Sequence, residues 1–193
     1  MRGRSLRPLG GAALALLLGI AGARADLNLF GSYYENVARA AASNDAYKVR
    51  QLVNSGHNPN NDLDESGHNA LQIAAINGNL QIAAILIKAG AKLDVADSLG
   101  NTPLLYAAER NQAEMAELLI DVGAELDKQN RNGMTALMIA AAHGNMAIVQ
   151  ALLAKGANPR KADFTGRDAI GWATDSHRPA IVQALQRAAS ANR

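Results

Sequence analysis

Apolar residues recur along this chain at two nested spacings. Within short segments they fall three and four apart, as in Leu104, Ala107 and Ala108, and again in Met115, Leu118 and Leu119. That spacing lines one face of an α-helix. The whole pattern then returns every 33 residues. Leu71, Leu104, Leu137 and Ile170 keep one register, and Ala74, Ala107, Ala140 and Ala173 keep another.

Polar and glycine positions share the period. Gly67, Gly100, Gly133 and Gly166 open successive units, and Gly90, Gly123 and Gly156 close them. In the unit that begins at Asp97, Thr102 is predicted to cap a helix and Pro103 to take its first position, where a missing N–H costs nothing. That helix should end near Asn111, where the neighbouring units have Gly78 and Gly144, residues suited to a left-handed C-cap. A second helix through Met115 and Ile120 stops before Gly123. Each period therefore predicts a turn, a helix, a turn and a helix. Asp64, Asp97, Asn130 and Asp163 recur at the start of the turns. Asx side chains there bond nearby backbone N–H groups, and this accounts for the row better than a calcium site or an acid–base pair.

Gly100-Asn101-Thr102-Pro103-Leu104-Leu105-Tyr106-Ala107-Ala108, with the closing pairs Gly90-Ala91, Gly123-Ala124 and Gly156-Ala157, resembles the ankyrin repeat. The resemblance is clear from Asp64 to about Ala189 and weak from Tyr33 to Asn60. It implies an all-α solenoid with β-turn fingers. Four repeats are expected at 64–96, 97–129, 130–162 and 163–193, after a degenerate capping repeat and first finger at 26–63. The histidine of the family pattern is replaced by Gln72, Leu105, Met138 and Gly171, so the hydrogen bonding it supplies is expected to be missing. Gln186, followed by Arg187, stands where Ile87, Ile120 and Leu153 stand earlier. A polar outer face of this kind ends a stack with no further neighbour. Pro179 suits the first turn of the final helix.

The first 25 residues follow other rules. Arg2, Arg4 and Arg7 precede an apolar run from Leu9 to about Ala21, and Ala23-Arg24-Ala25 then offers a small-x-small cleavage site before Asp26. This reads as a secretory signal peptide, too short and too glycine-rich for a membrane anchor. Its removal takes four arginines from a chain of net charge +2 and leaves 15 basic against 17 acidic residues. No basic stripe remains to favour nucleic acid. The charge is uneven: residues 26–129 carry 7 basic and 14 acidic side chains, residues 130–193 carry 8 and 3. With no cysteine in the chain, stability must come from burial rather than disulfides.

No phosphate-binding loop, dinucleotide fingerprint, His-Glu-x-x-His pair or nucleophile elbow is present. His57, His68, His143 and His177 lie in different repeats without metal-ligand spacing, so surface hydrogen bonding is expected of them, with no metal or cofactor. Trp172 replaces Ile73, Tyr106 and Ile139 and is expected to pack partly between repeats.

By the resemblance, partners are held by finger tips and inner-helix ends. In this sequence those are Glu65, Ser66, His68, Ile76 and Asn77; Ser98, Leu99, Asn101, Glu109 and Arg110; Arg131, Asn132, Met134 and His143; and Phe164, Arg167 and Asp175. Leu99, Met134 and Phe164 are apolar where the turn asks for nothing apolar. Acidic Asp62, Asp64 and Glu65 at one end face basic Arg131, Arg160, Lys161 and Arg167 at the other. The expectation is a monomeric, non-enzymatic module in a bacterial periplasm that binds a protein partner. It binds no nucleic acid and inserts in no membrane after cleavage. The alternatives are an effector secreted to act on a host protein and, remotely, a metal carrier or enzyme.

Overall fold

A computed structural model describes residues 36–191. The expected leader at 1–25 and its cleavage point lie outside them. The described residues form ten helices in five pairs. These are α1 (Val37–Ala42) with α2 (Ala46–Asn54), α3 (Ala70–Asn77) with α4 (Leu80–Lys88), α5 (Pro103–Glu109) with α6 (Ala113–Asp121), α7 (Ala136–His143) with α8 (Met146–Ala154), and α9 (Ala169–Asp175) with α10 (Pro179–Ala191). The first helices of the pairs stack on one another as an inner row, and the second helices stack as an outer row. The degenerate first unit thus forms a helix pair like the rest. Among the described residues the extended structure is an isolated antiparallel bridge, Leu63 to Asn69.

Capping sets the inner helices. Asn69, Thr102, Thr135 and Asp168 each accept a hydrogen bond from the backbone N–H three residues on, and Pro103 sits at the start of α5 as its position predicts. Each cap satisfies a donor that the helix leaves without an internal partner. At the far ends, Gly78 (φ 67°) and Gly144 (φ 83°) are left-handed. Asn111 (φ 54°) and His177 (φ 55°) take the same conformation at the same repeat position without being glycine.

Alanine makes the stack close. Ala74, Ala107, Ala140 and Ala173 are buried, and Leu71, Leu104 and Leu137 fill the space beside them. Small side chains let neighbouring inner helices approach, and the leucines supply the apolar area removed from water. The outer row adds Ile82, Leu86, Met115, Leu119, Ile148, Leu152 and Leu185 to one continuous core. At the end of the stack Gln186 is exposed, whereas Ile120 is buried and Ile87 and Leu153 are half-buried. Among the described residues no helix is long and apolar enough to cross a membrane.

One expectation is corrected. Hydrogen bonding from the position of the family histidine is retained in the 64–96 repeat by Gln72. Its side chain closes a capping box with Asn69, and its Nε2 donates to the carbonyls of Val95 (3.2 Å) and Asn101 (2.8 Å) in the following finger. An amide reaches where the imidazole would, because it too carries a donor on a side chain of suitable length.

Candidate functional site

The fingers are built on their first side chain. Asp97 Oδ1 accepts from the N–H groups of Leu99 and Asn101, both at 2.8 Å. Asp64, Asn130 and Asp163 accept from the equivalent pairs. All four are the Asx turns expected. Successive fingers are tied by backbone bonds from Arg131 N to Leu99 O (3.0 Å) and from Phe164 N to Asn132 O (3.4 Å). Asn130 Nδ2 adds a bond to Asn101 Oδ1 at 2.9 Å.

Inner helices brace the fingers through aromatic donors. The Tyr106 hydroxyl donates to Asp97 Oδ2, and Trp172 Nε1 donates to Asp163 Oδ2 at 2.9 Å. His68 crosses from the preceding repeat. Its Nε2 lies 3.1 Å from the Tyr106 hydroxyl and 3.8 Å from Asp97, and its Nδ1 lies 3.5 Å from Asp64. The His68 and Tyr106 rings meet edge to face at 5.3 Å. Because the tyrosine proton goes to Asp97, His68 Nε2 donates to the tyrosine oxygen. His68 is therefore a half-buried clasp between two repeats, and the expectation of a surface tip is corrected.

The surroundings of this clasp set the charges of Asp97 and Tyr106. Burial raises the Asp97 carboxyl, but the Tyr106 hydroxyl, the N–H groups of Asn101 and Leu99 and the nearby His68 imidazole outweigh it, and the net displacement is downward. Burial, followed by the bond to Asp97, pushes the Tyr106 hydroxyl up to about 12. The tyrosine stays protonated at neutral pH and its proton is held by a carboxylate. The group is suited to bracing rather than to proton transfer. Asp163 is lowered to about 2, first by the Thr165 hydroxyl against a burial effect, then by the N–H groups of Arg167 and Thr165 and by Trp172.

The predicted contact residues divide by surroundings. Glu65, Ser66, Asn77, Ser98, Leu99, Glu109, Arg110, Arg131, Asn132, His143, Phe164, Arg167 and Asp175 are exposed. His68, Ile76, Asn101 and Met134 are half-buried, and Ile76 and Met134 pack against the core. Met134 is thus corrected from apolar tip to buttress; Leu99 and Phe164 remain apolar tips, 61% and 74% exposed. Trp172 packs partly, as expected, with the Arg167 guanidinium 4.4 Å above its ring.

The expected charge gradient is offset by one ion pair at each end, while Arg160, Lys161, Asp62 and Asp64 keep their charge and bond to backbone groups. At the basic end Arg160 donates to Ala189 O, Lys161 to Asp127 O, and Arg167 to Asp175 at 2.7 Å. At the acidic end Asp62 accepts from Val37 N and Asp64 holds its turn, while Glu65 lies 3.6 Å from Arg39. Sequence reasoning missed the His68–Tyr106–Asp97 clasp, because His68 stands 29 residues before Asp97 and 38 before Tyr106, across the repeat boundary. A histidine after one turn glycine and a tyrosine in the next repeat were its only signal. Among the described residues no group of three or more His, Asp or Glu is placed to hold a metal ion.

A family model described as ankyrin repeats (3 copies) matches residues 37–130 and 120–193. Compared with curated proteins, the chain finds no match. Ankyrin stacks are generally non-enzymatic interaction scaffolds. The matched residues take in every described helix, from α1 to α10, and the chain belongs to the ankyrin-repeat family of protein–protein interaction modules.

Proposed function

We propose that the protein is exported to a bacterial periplasm and binds one protein partner, as a monomer, through its fingers and inner-helix ends. The observation that carries the reading is the pair of exposed tips Leu99 and Phe164, on fingers braced by the inner-helix donors Tyr106 and Trp172. A tip gains nothing for the fold by being apolar, since the turn is made by Asp97 or Asp163 and the glycine after it. Apolar side chains on a rigid support are the usual centre of a protein contact, because they lose little entropy on being covered. Exposed polar side chains on the same and the intervening finger, Ser98, Arg131 and Asn132, supply hydrogen-bonding groups at the rim. Export rests on the charged, apolar and small-residue order of residues 1–25.

Site-specific photo-cross-linking in the native organism tests both halves. A photoreactive phenylalanine analogue is placed at Leu99, at Phe164, or at Val122, which is exposed at the end of the outer helix α6. One discrete adduct from the first two positions, in the periplasmic fraction and on a chain beginning at Asp26, is expected. Adducts only from Val122 would move the contact to the outer row. Recovery only from the culture medium would favour a secreted effector.

A further inference from the structure

The outer row carries a second surface that owes nothing to the fingers. Between α2 and α4 runs an open trough of about 700 Å³, floored by Val53, Ala84 and Ile85 and edged by Arg50 and Lys88. Ala84 makes it. The same exposed position of the other outer helices holds Arg50, Glu117, Gln150 and Gln183, all long and polar. Alanine here clears a notch that a longer side chain would fill.

The charge of the trough is also one-sided. Further along the row, α6 offers Glu117 and Asp121, and Lys155 pairs with Asp121 at 2.9 Å across the next seam. No carboxylate lines the trough, and neither Arg50 nor Lys88 has a hydrogen-bonding or ionic partner among the described residues. Two cations therefore flank an apolar floor with no described residue placed to neutralise them.

We propose that this trough docks an acidic helix of a partner protein, with an apolar side chain of that helix seated over Ala84 and its carboxylates on Arg50 and Lys88. Two helices lying side by side present the ridged groove into which a third packs, and helix-in-groove recognition uses apolar anchors at such spacings. Gln81, Ala84, Ile85 and Lys88 share one face of α4, and Arg50, Val53 and Asn54 share one face of α2. The carboxylates set approach and register, and the covered floor sets lifetime. Two cations are too few for an anionic membrane surface, where clusters of roughly four to eight are needed.

The test is a titration of the isotope-labelled protein, followed by NMR, with a synthetic capped peptide helix of Glu, Ala and Leu. Amide shifts confined to α2 and α4 are expected. Arg50→Glu with Lys88→Glu should weaken binding by about tenfold, two exposed charge pairs being reversed. Ala84→Gln keeps every charge and restores the residue type found at this position in α8 and α10, so the fold is retained. It should weaken the same peptide several-fold by filling the notch. Undiminished binding to Ala84→Gln, scattered shifts, no shifts, or equal binding of a peptide with Lys in place of Glu would each overturn the proposal. Concentration-dependent shifts of these residues without peptide would assign the trough to a second copy of the chain and overturn it equally. Because the outer row is probed apart from the tips, either surface can fail alone.

Discussion

Trp172 donates its indole N–H to Asp163 at 2.9 Å, and Asp163 holds its finger with the remaining carboxylate capacity. The same relation joins Tyr106 to Asp97 two repeats earlier. Where Ile73 and Ile139 take the aromatic position, the finger has no such brace. The fingers that bear exposed Leu99 and Phe164 are the two that an inner helix holds by an aromatic donor.

Acid should loosen the last finger in a definite window. The folded Asp163 carboxyl is lowered to about 2, so its contribution is complete above its unfolded value of about 3.9 and is lost as pH falls through the folded value. Asp163→Asn, the side-chain type that Asn130 brings to the same turn, should be less stable at pH 7 but flatter between pH 4 and 2. Trp172 is the sole tryptophan, so its fluorescence in urea melts follows this repeat. Parallel pH profiles for wild type and variant would remove the carboxylate from the account.

Two turn glycines should differ in their tolerance of alanine. Gly133 and Gly166 have φ of 78° and 83°, so a side chain at either is strained by about 1 kcal/mol. At Gly133 an added Cβ would also meet Phe164 N at 2.6 Å and Asp163 Cα at 3.0 Å, whereas at Gly166 nothing lies within 4 Å. Gly133→Ala should therefore cost more than Gly166→Ala, by about 1–3 kcal/mol of overpacking. Denaturant midpoints of the two variants decide, and equal values would count against the close finger contact.

The opposite sign is expected at Asn111 and His177. Both are exposed and left-handed at φ 54° and 55°, where neighbouring repeats use Gly78 and Gly144. Asn111→Gly and His177→Gly should each stabilise by a few tenths to about 1 kcal/mol, through relief of the left-handed conformation. Asparagine tolerates that region better than most residues, so the histidine variant should gain more. A loss of stability in both would show that these side chains contribute contacts of their own.

Gln186→Leu should make the protein self-associate. The substitution restores at an exposed end position the apolar residue that Ile120 buries between repeats. An uncovered apolar face on a stack invites a neighbour. Light scattering at matched concentrations reads the effect, and a mutant as monomeric as wild type would take Gln186 out of the cap.

The period of 33 was enough to specify the helices, their caps and the order of the stack. Each of those depends on contacts between residues a few positions apart, or one repeat apart. Thr102 caps and Pro103 starts α5 for reasons contained in their own dipeptide, and Gln186 breaks a register visible by counting. The surface was less legible. Met134 and Phe164 read alike as apolar finger residues, yet one packs on the core and the other points to water. Arg160, Lys161 and Arg167 read as a freely exposed basic end, yet each is anchored on a carbonyl or a carboxylate that the fold brings near. His68 meets Tyr106 and Asp97 only once two repeats are superposed. Arg50 and Lys88 flank one notch only because α2 lies beside α4. Secondary structure is a local and periodic property of this chain. Exposure and charge pairing belong to the seams between repeats, and the packing of those seams decides them.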